Sequence, residues 1–185
     1  MEKTTSISKS LGLPFFGLQS AILIVGWTLM VFLKTPIDWS IDPNQMALTI
    51  IFSLPLLLLA VLVTSPVGLG IDFVKTIFNR ILESPLGPFI QEGGPWKFLL
   101  ISVLAGLGEE LVFRGVLQEK GGLVLAAVLF GLFHFVSFAY FAVATFLGIY
   151  LGSVYIWTGH HFLSPVIIHV LYDFVFLILM RRACQ

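Results

Sequence analysis

Long apolar runs separated by short polar connections dominate the chain. A helix of about 20 apolar residues covers a hydrocarbon core about 30 Å thick, so each run of about 18 or more such residues is a candidate span. The pattern predicts six membrane-spanning helices, near residues 13–33, 46–68, 97–118, 122–140, 141–158 and 162–180. Almost no polar residue separates the fourth run from the fifth, around 137–141, so the count could be five, with a re-entrant segment, or seven.

The connection between the second and third runs has a different pattern. Apolar side chains recur at helical spacing on one face and polar ones occupy the other: Ile71, Val74, Phe78 and Leu82 against Asp72, Asn79, Arg80 and Glu83. This predicts an amphipathic helix that lies at the membrane interface and ends before Pro85. A solvated loop helix would show the same pattern.

Composition places the chain among integral membrane proteins. Of its 185 residues, 58% are hydrophobic and only 11% are charged, far from the values of soluble domains. The predicted fold class is all-α, a polytopic membrane helix bundle of about six transmembrane helices plus the amphipathic helix. We expect one membrane domain over residues 1–185. Residues 1–95 contain the first two spans and the linker, and residues 96–185 form a core that carries three short sequence motifs described below.

Charge narrows the classes of partner. The 10 basic and 10 acidic residues cancel, so no basic surface indicates nucleic acid, and the lipid bilayer is the expected partner. The single cysteine, Cys184, excludes an internal disulfide and a thiolate metal cluster. The sequence does not indicate an oligomeric state.

Lysine and arginine positions predict the orientation in the membrane. With six spans, one side of the membrane carries Lys3, Lys9, Lys75, Arg80, Lys97, Arg181 and Arg182, and the other carries Lys34 and Lys120. Basic residues concentrate on the cytoplasmic side. Both termini are therefore expected in the cytoplasm, most simply that of a bacterium.

A few ionisable residues lie inside the predicted spans. They are Glu109, Glu110 and Arg114 in the third, His134 in the fourth, and His169 and Asp173 in the sixth. An ionised group near the bilayer centre costs at least about 2.5 to 3.5 kcal/mol. Such groups persist where they pair, line a wet cavity or take part in chemistry, although intramembrane histidines also serve as hydrogen-bonding links between helices.

Helical spacing divides the two neighbouring glutamates. Residues four apart share a helix face, so Glu110 and Arg114 are expected to pair, whereas Glu109 points about a quarter turn away. A carboxylate that no cation neutralises is a candidate general base. The same four-residue step relates Phe130 to His134, and it also relates the next pair, His169 and Asp173.

Three short motifs carry a family resemblance. EELVFR at 109–114 matches EExxxR, FGLFH at 130–134 matches FxxxH, and HVLYD at 169–173 matches HxxxN/D. Their order resembles the CAAX-protease and bacteriocin-processing family, which includes type II CAAX prenyl endopeptidases and many bacterial homologues labelled abortive-infection proteins. The resemblance covers about residues 97–180.

The resemblance implies a glutamate-dependent intramembrane endopeptidase that acts on a membrane-embedded or lipid-associated peptide or protein. It implies that Glu109 activates a water held by His134, while His169 and Asp173 stabilise the oxyanion. Supporting roles fall to Glu110, Arg114 and Phe130. The family was long described as metalloproteases, but we expect no cofactor.

One position departs from part of the family. The eukaryotic members usually have asparagine where this chain has Asp173. A carboxylate cannot donate to an oxyanion, so Asp173 is either neutral or orients a charged His169 that donates. We favour the second.

Other functions fit some of the same residues. Two histidines and Glu109 could bind zinc, although HExxH is missing. GLGE at 106–109 and YD at 172–173 echo presenilin-like aspartyl proteases in reversed order, and no GxSxG indicates a serine protease. A proton-coupled transporter is another class, although the sequence has no inverted repeat. A non-catalytic scaffold or immunity protein could keep these residues as polar links between helices.

Overall fold

The computed structural model describes the backbone of residues 2–185 and the side chains of residues 13–185. The helices in this part of the chain are α1 Glu2–Leu33, α2 Pro43–Thr64, α3 Pro66–Leu69, α4 Asp72–Glu83, α5 Leu86–Glu92, α6 Pro95–Val112, α7 Glu119–Phe133, α8 Phe138–Trp157 and α9 Leu163–Ala183. A π-helical turn, Phe113–Gln118, joins α6 to α7. The all-α prediction is confirmed.

Five helical segments of the described chain are long and apolar enough to cross a membrane. They are Leu13–Leu33, Pro43–Thr64, Pro95–Phe133, Phe138–Trp157 and Leu163–Ala183. The protein is therefore an integral membrane protein with a polytopic helix bundle. The third segment contains 39 residues, about twice what a bilayer requires.

The third segment reverses direction at Gly122, so it contributes two antiparallel arms. Gly122 has φ 82° and ψ 170°, a conformation that glycine adopts without a steric penalty. The rings of Phe113 and Phe130 lie on opposite sides of this residue with centroids 5.0 Å apart, whereas a straight helix would separate them by about 25 Å. The arms correspond to the third and fourth predicted spans.

The fourth predicted span, 122–140, is too long. Its arm leaves helical geometry at His134, and α8 begins after Ser137, whose hydroxyl accepts from the backbone N–H of Tyr140. Residues 123–133 extend for about 17 Å, so this arm is a partial span. The break at 134–137 replaces the turn predicted at 137–141, and the re-entrant alternative describes this region better.

The second predicted span, 46–68, lies three to four residues earlier in the structure, because a helix cap at Asp42 sets its start. Asp42 accepts hydrogen bonds from the backbone N–H groups of Asn44 at 2.7 Å and Gln45 at 3.1 Å, and Pro43 begins the helix. A capping aspartate followed by proline is a common helix start. The helix therefore runs from Pro43 to Thr64.

Contacts at the two ends of the bundle show which connections share a side. At one end, the backbone N–H of Phe162 donates to the carbonyl of Asp38, and His160 Nδ1 lies 2.8 Å from Glu119 Oε1. At the other end, Met180 packs with the linker residue Phe78. The linker and the end of α9 therefore share a side, opposite the 34–42 loop and Glu119.

The amphipathic helix is present as α4, but Ile71, which the pattern placed on its apolar face, precedes the helix and is exposed. Phe78 and Ile81 are buried and pack against Met180 of α9, whereas Asp72 and Arg80 are exposed. Its apolar face thus rests on the protein itself. Its location at the membrane interface stays a prediction.

Candidate active site

Glu109 lies at the point where three helices meet. Its side chain is 2% exposed, and its Oε2 lies 3.4 Å from His134 Nε2 and 3.9 Å from His169 Nε2. This oxygen accepts no hydrogen bond from the residues that the structure describes. Residues that the sequence places on α6, α9 and the end of α7 therefore converge on one carboxylate.

The backbone of α7 orients His134. Its Nδ1 lies 2.9 Å from the carbonyl oxygen of Phe130, and a carbonyl can only accept, so Nδ1 carries the proton. The four-residue step that brings these atoms together also places the two rings 4.5 Å apart. The Nε2 atom of His134 therefore points toward Glu109 with no proton required on it.

Glu110 and Arg114 form the ion pair that their spacing predicts. Arg114 Nη1 lies 2.9 Å from Glu110 Oε1, and both side chains are at most 1% exposed. Arg114 Nη2 donates to the carbonyl of Gly148 at 2.8 Å. The guanidinium carbon also lies 5.1 Å from the ring centroid of Phe130, within reach of a cation–π interaction. The pair thereby ties α6 to α7 and α8.

The ion pair also holds His169, a contact that the sequence does not predict. Glu110 Oε1 lies 2.7 Å from His169 Nδ1. Since this oxygen already accepts from the Arg114 guanidinium, Nδ1 is the donor. The imidazole is fixed in rotation, and its Nε2 faces the opposite direction, toward Glu109.

Asp173 lies near His169 Nε2, the nitrogen that also faces Glu109. Its Oδ2 is 3.5 Å from His169 Nε2, as the four-residue step on α9 predicts. The ring of Tyr172 stacks on His169 with centroids 5.2 Å apart and an interplanar angle of 11°. The orientation of His169 is therefore set by a carboxylate at each nitrogen and a ring on its face.

Two of the side chains around Glu109 are partly exposed. The side chains of His134 and Asp173 are 26% and 28% exposed, compared with 2% for both Glu109 and His169. In the described part of the chain, no three His, Cys, Asp or Glu side chains are grouped so that they could hold a metal ion.

A family comparison covers all of these motif residues. Residues 91–175 match the family model described as type II CAAX prenyl endopeptidase Rce1-like. This part of the chain is therefore similar to that family of membrane endopeptidases. The Rce1-like region thus begins near the start of α6 and ends within α9.

A curated relative matches a similar length of chain. The uncharacterized protein YpbD of Bacillus subtilis (strain 168) is 36% identical over 90 residues, which is 47% of this chain and 44% of the relative. The aligned part therefore spans less than half of that protein. No solved structure matches the chain.

Besides the contact between His169 and Glu110, the sequence did not predict a polar contact made by α1. Gln19 Nε2 of α1 donates to Glu109 Oε1 at 3.0 Å. The available signal was an amide within the otherwise apolar first span, FGLQSAILIV at 16–25. An amide carries no charge, so the cost of burying an ionised group does not single it out.

Proposed function

We propose that this Rce1-like protein is an intramembrane endopeptidase in which Glu109 and His134 activate the attacking water. The observation that carries the proposal is the convergence of His134 Nε2 and His169 Nε2 on the buried Oε2 of Glu109, at 3.4 and 3.9 Å. General-base catalysis needs a carboxylate within hydrogen-bond reach of water and a second group to orient that water.

The first step forms a carbon–oxygen bond. Water donates one hydrogen bond to Glu109 Oε2 and the other to His134 Nε2, which can accept because the proton of this ring is on Nδ1. Glu109 takes a proton as the water oxygen attacks the carbonyl carbon of the substrate peptide bond. The carbonyl oxygen becomes an oxyanion.

His169 stabilises that oxyanion. Its Nδ1–H donates to Glu110, so a doubly protonated imidazole presents its Nε2–H toward the substrate, with Asp173 beside it as counter-charge. The proton that Glu109 accepted then passes to the leaving nitrogen as the carbon–nitrogen bond breaks. The products are a carboxylic acid and an amine, and Glu109 returns to its starting state.

The substrate class follows from the location of the site. A buried carboxylate within apolar helices favours a membrane-embedded or lipid-associated peptide or protein over a soluble one. The proposed location is a bacterial plasma membrane with both termini in the cytoplasm. None of the proposed steps uses a metal ion.

Cleavage by purified protein in liposomes tests the proposal. The probes are two quenched fluorescent peptides, one farnesylated at a C-terminal CAAX sequence and one an unlipidated apolar helix. We expect cleavage of at least one by the wild type and none above background by Glu109→Gln or His134→Ala. Cleavage that survives both substitutions would exclude this mechanism.

Two further measurements separate the alternatives. Full activity after metal removal by a chelator would exclude a catalytic zinc, whereas loss that zinc restores would support one. Proton-coupled solute flux without proteolysis would favour a transporter. Absence of both activities in folded protein would favour a scaffold or immunity role.

A further inference from the structure

The first span reaches the site through a neutral amide. Gln19 Nε2 donates to Glu109 Oε1 at 3.0 Å, across 90 positions of sequence, and Gln19 lies outside the Rce1-like region at 91–175. We propose that Gln19 is a positioning residue that fixes the rotation of the Glu109 carboxylate. This inference rests on the proposed role of Glu109 as the base.

The contact with Gln19 determines which oxygen of Glu109 can act as the base. The terminal torsion of a glutamate side chain is soft and roughly two-fold, so a buried carboxylate needs a partner to hold one orientation. Gln19 occupies Oε1, and Oε2 is then the oxygen that faces His134 and His169. Without the amide, either oxygen could rotate toward the histidines or away from them.

The hydrogen-bond partner of Glu109 is a neutral amide, which suits the proposed role of Glu109 as the base. Glu110 accepts a hydrogen bond from the guanidinium of Arg114 at 2.9 Å, so its partner is a fixed positive charge. An amide orients a carboxylate through a hydrogen bond without adding a cation beside it. The two neighbouring glutamates therefore receive the kind of partner that matches their different roles.

Close packing of α1 against α6 lets the side chain of Gln19 reach Glu109. A Cβ added at Gly108 would lie 2.9 Å from the backbone nitrogen of Leu23, and one added at Gly26 would lie 2.9 Å from Leu111 Cβ. Glycines on both helices thus allow α1 and α6 to approach closely at Leu23 and at Gly26, about one and two turns along α1 from Gln19. The position of the amide is set by this backbone packing.

Two substitutions at Gln19, assayed in liposomes with the peptide that the wild type cleaves, test the inference. Gln19→Leu removes the donor, and we expect kcat to fall about 10- to 100-fold with KM unchanged, because a misplaced reacting group costs about that much. Gln19→Glu keeps the size and can donate only when protonated. Its kcat, relative to wild type, should recover toward acid pH, whereas the Leu variant should not.

Thr28→Val is the matched control, because among the described residues its hydroxyl bonds only to the carbonyl of Ile24 on the same helix, at 2.8 Å. It should keep the wild-type kcat. A wild-type kcat in Gln19→Leu, or equal losses in both Gln19 variants at every pH, would overturn the positioning role. If Glu109→Gln still cleaves, the proposed function fails instead, so the two failures are distinguishable.

Discussion

Glu109 and Glu110 are neighbours in sequence and equally buried, yet one accepts a hydrogen bond from a neutral amide and the other from a guanidinium. Glu109 Oε1 is bonded to Gln19 Nε2, and Glu110 Oε1 is bonded to Arg114 Nη1. His169 connects the two, with Nδ1 on Glu110 and Nε2 3.9 Å from Glu109. In the proposed mechanism, Glu109 serves catalysis and Glu110 serves stability, and substitutions can test this division.

Glu109→Gln should abolish function without unfolding the protein. The amide is isosteric and can keep most packing, but it cannot take a proton from water. We expect cleavage to fall by about 10²- to 10⁴-fold, the usual contribution of a general base, with little change in thermal unfolding in detergent. A variant that unfolds early would show that Glu109 has a structural role instead.

Arg114→Met should destabilise the bundle. It removes the guanidinium partner of the buried Glu110 and the donor to the Gly148 carbonyl, and breaking a buried pair from one side costs about 3 to 5 kcal/mol. Adding Glu110→Gln to the same protein should recover part of this loss, measured by denaturant unfolding. Additive losses in the double variant would contradict the pairing.

His169→Ala should slow cleavage more than Asp173→Asn does. If a charged His169 donates to the oxyanion, its removal costs about 10²- to 10³-fold in kcat. An asparagine at 173 can still form a hydrogen bond to the imidazole of His169, so kcat should fall less in Asp173→Asn. The reverse order of kcat values would identify Asp173 as the direct donor.

Gly148→Ala should loosen the contact between α7 and α8. The new Cβ would lie 3.0 Å from Ala127 Cα, and the Gly148 carbonyl that accepts from Arg114 would move with the helix. Overpacking of this kind costs about 1 to 3 kcal/mol, so thermal unfolding should occur at lower temperature. Gly17→Ala is the matched control, because a Cβ there meets nothing within 4 Å.

Cys184 offers a direct measurement of orientation. This exposed, free thiol is the single cysteine, and an impermeant maleimide should label it in inverted but not in right-side-out vesicles. Partial burial raises the pKa of the Cys184 thiol, so labelling, which needs the thiolate, should be faster at alkaline pH. In Cys184→Ser protein, an added Ser40→Cys on the opposite end should show the reverse sidedness.

Local spacing predicted much of the site. The pairing of Glu110 with Arg114 and the approach of His169 to Asp173 both follow from a step of four residues along one helix. The hydrophobic face of α4 followed from the same periodicity. The reversal at Gly122 was expected from the apolar runs, but the early end of the second arm, at Phe133, was not. No glycine or proline marks that break.

The sequence by itself determined that the chain is a helical membrane protein and which polar residues each helix carries, because both depend on composition and on periodicity within one helix. Only the tertiary structure decided that Gln19 meets Glu109 and that His169 bonds to Glu110. Those contacts join residues far apart in the chain. They depend on how closely the helices pack and how each is rotated about its axis, which no local pattern specifies.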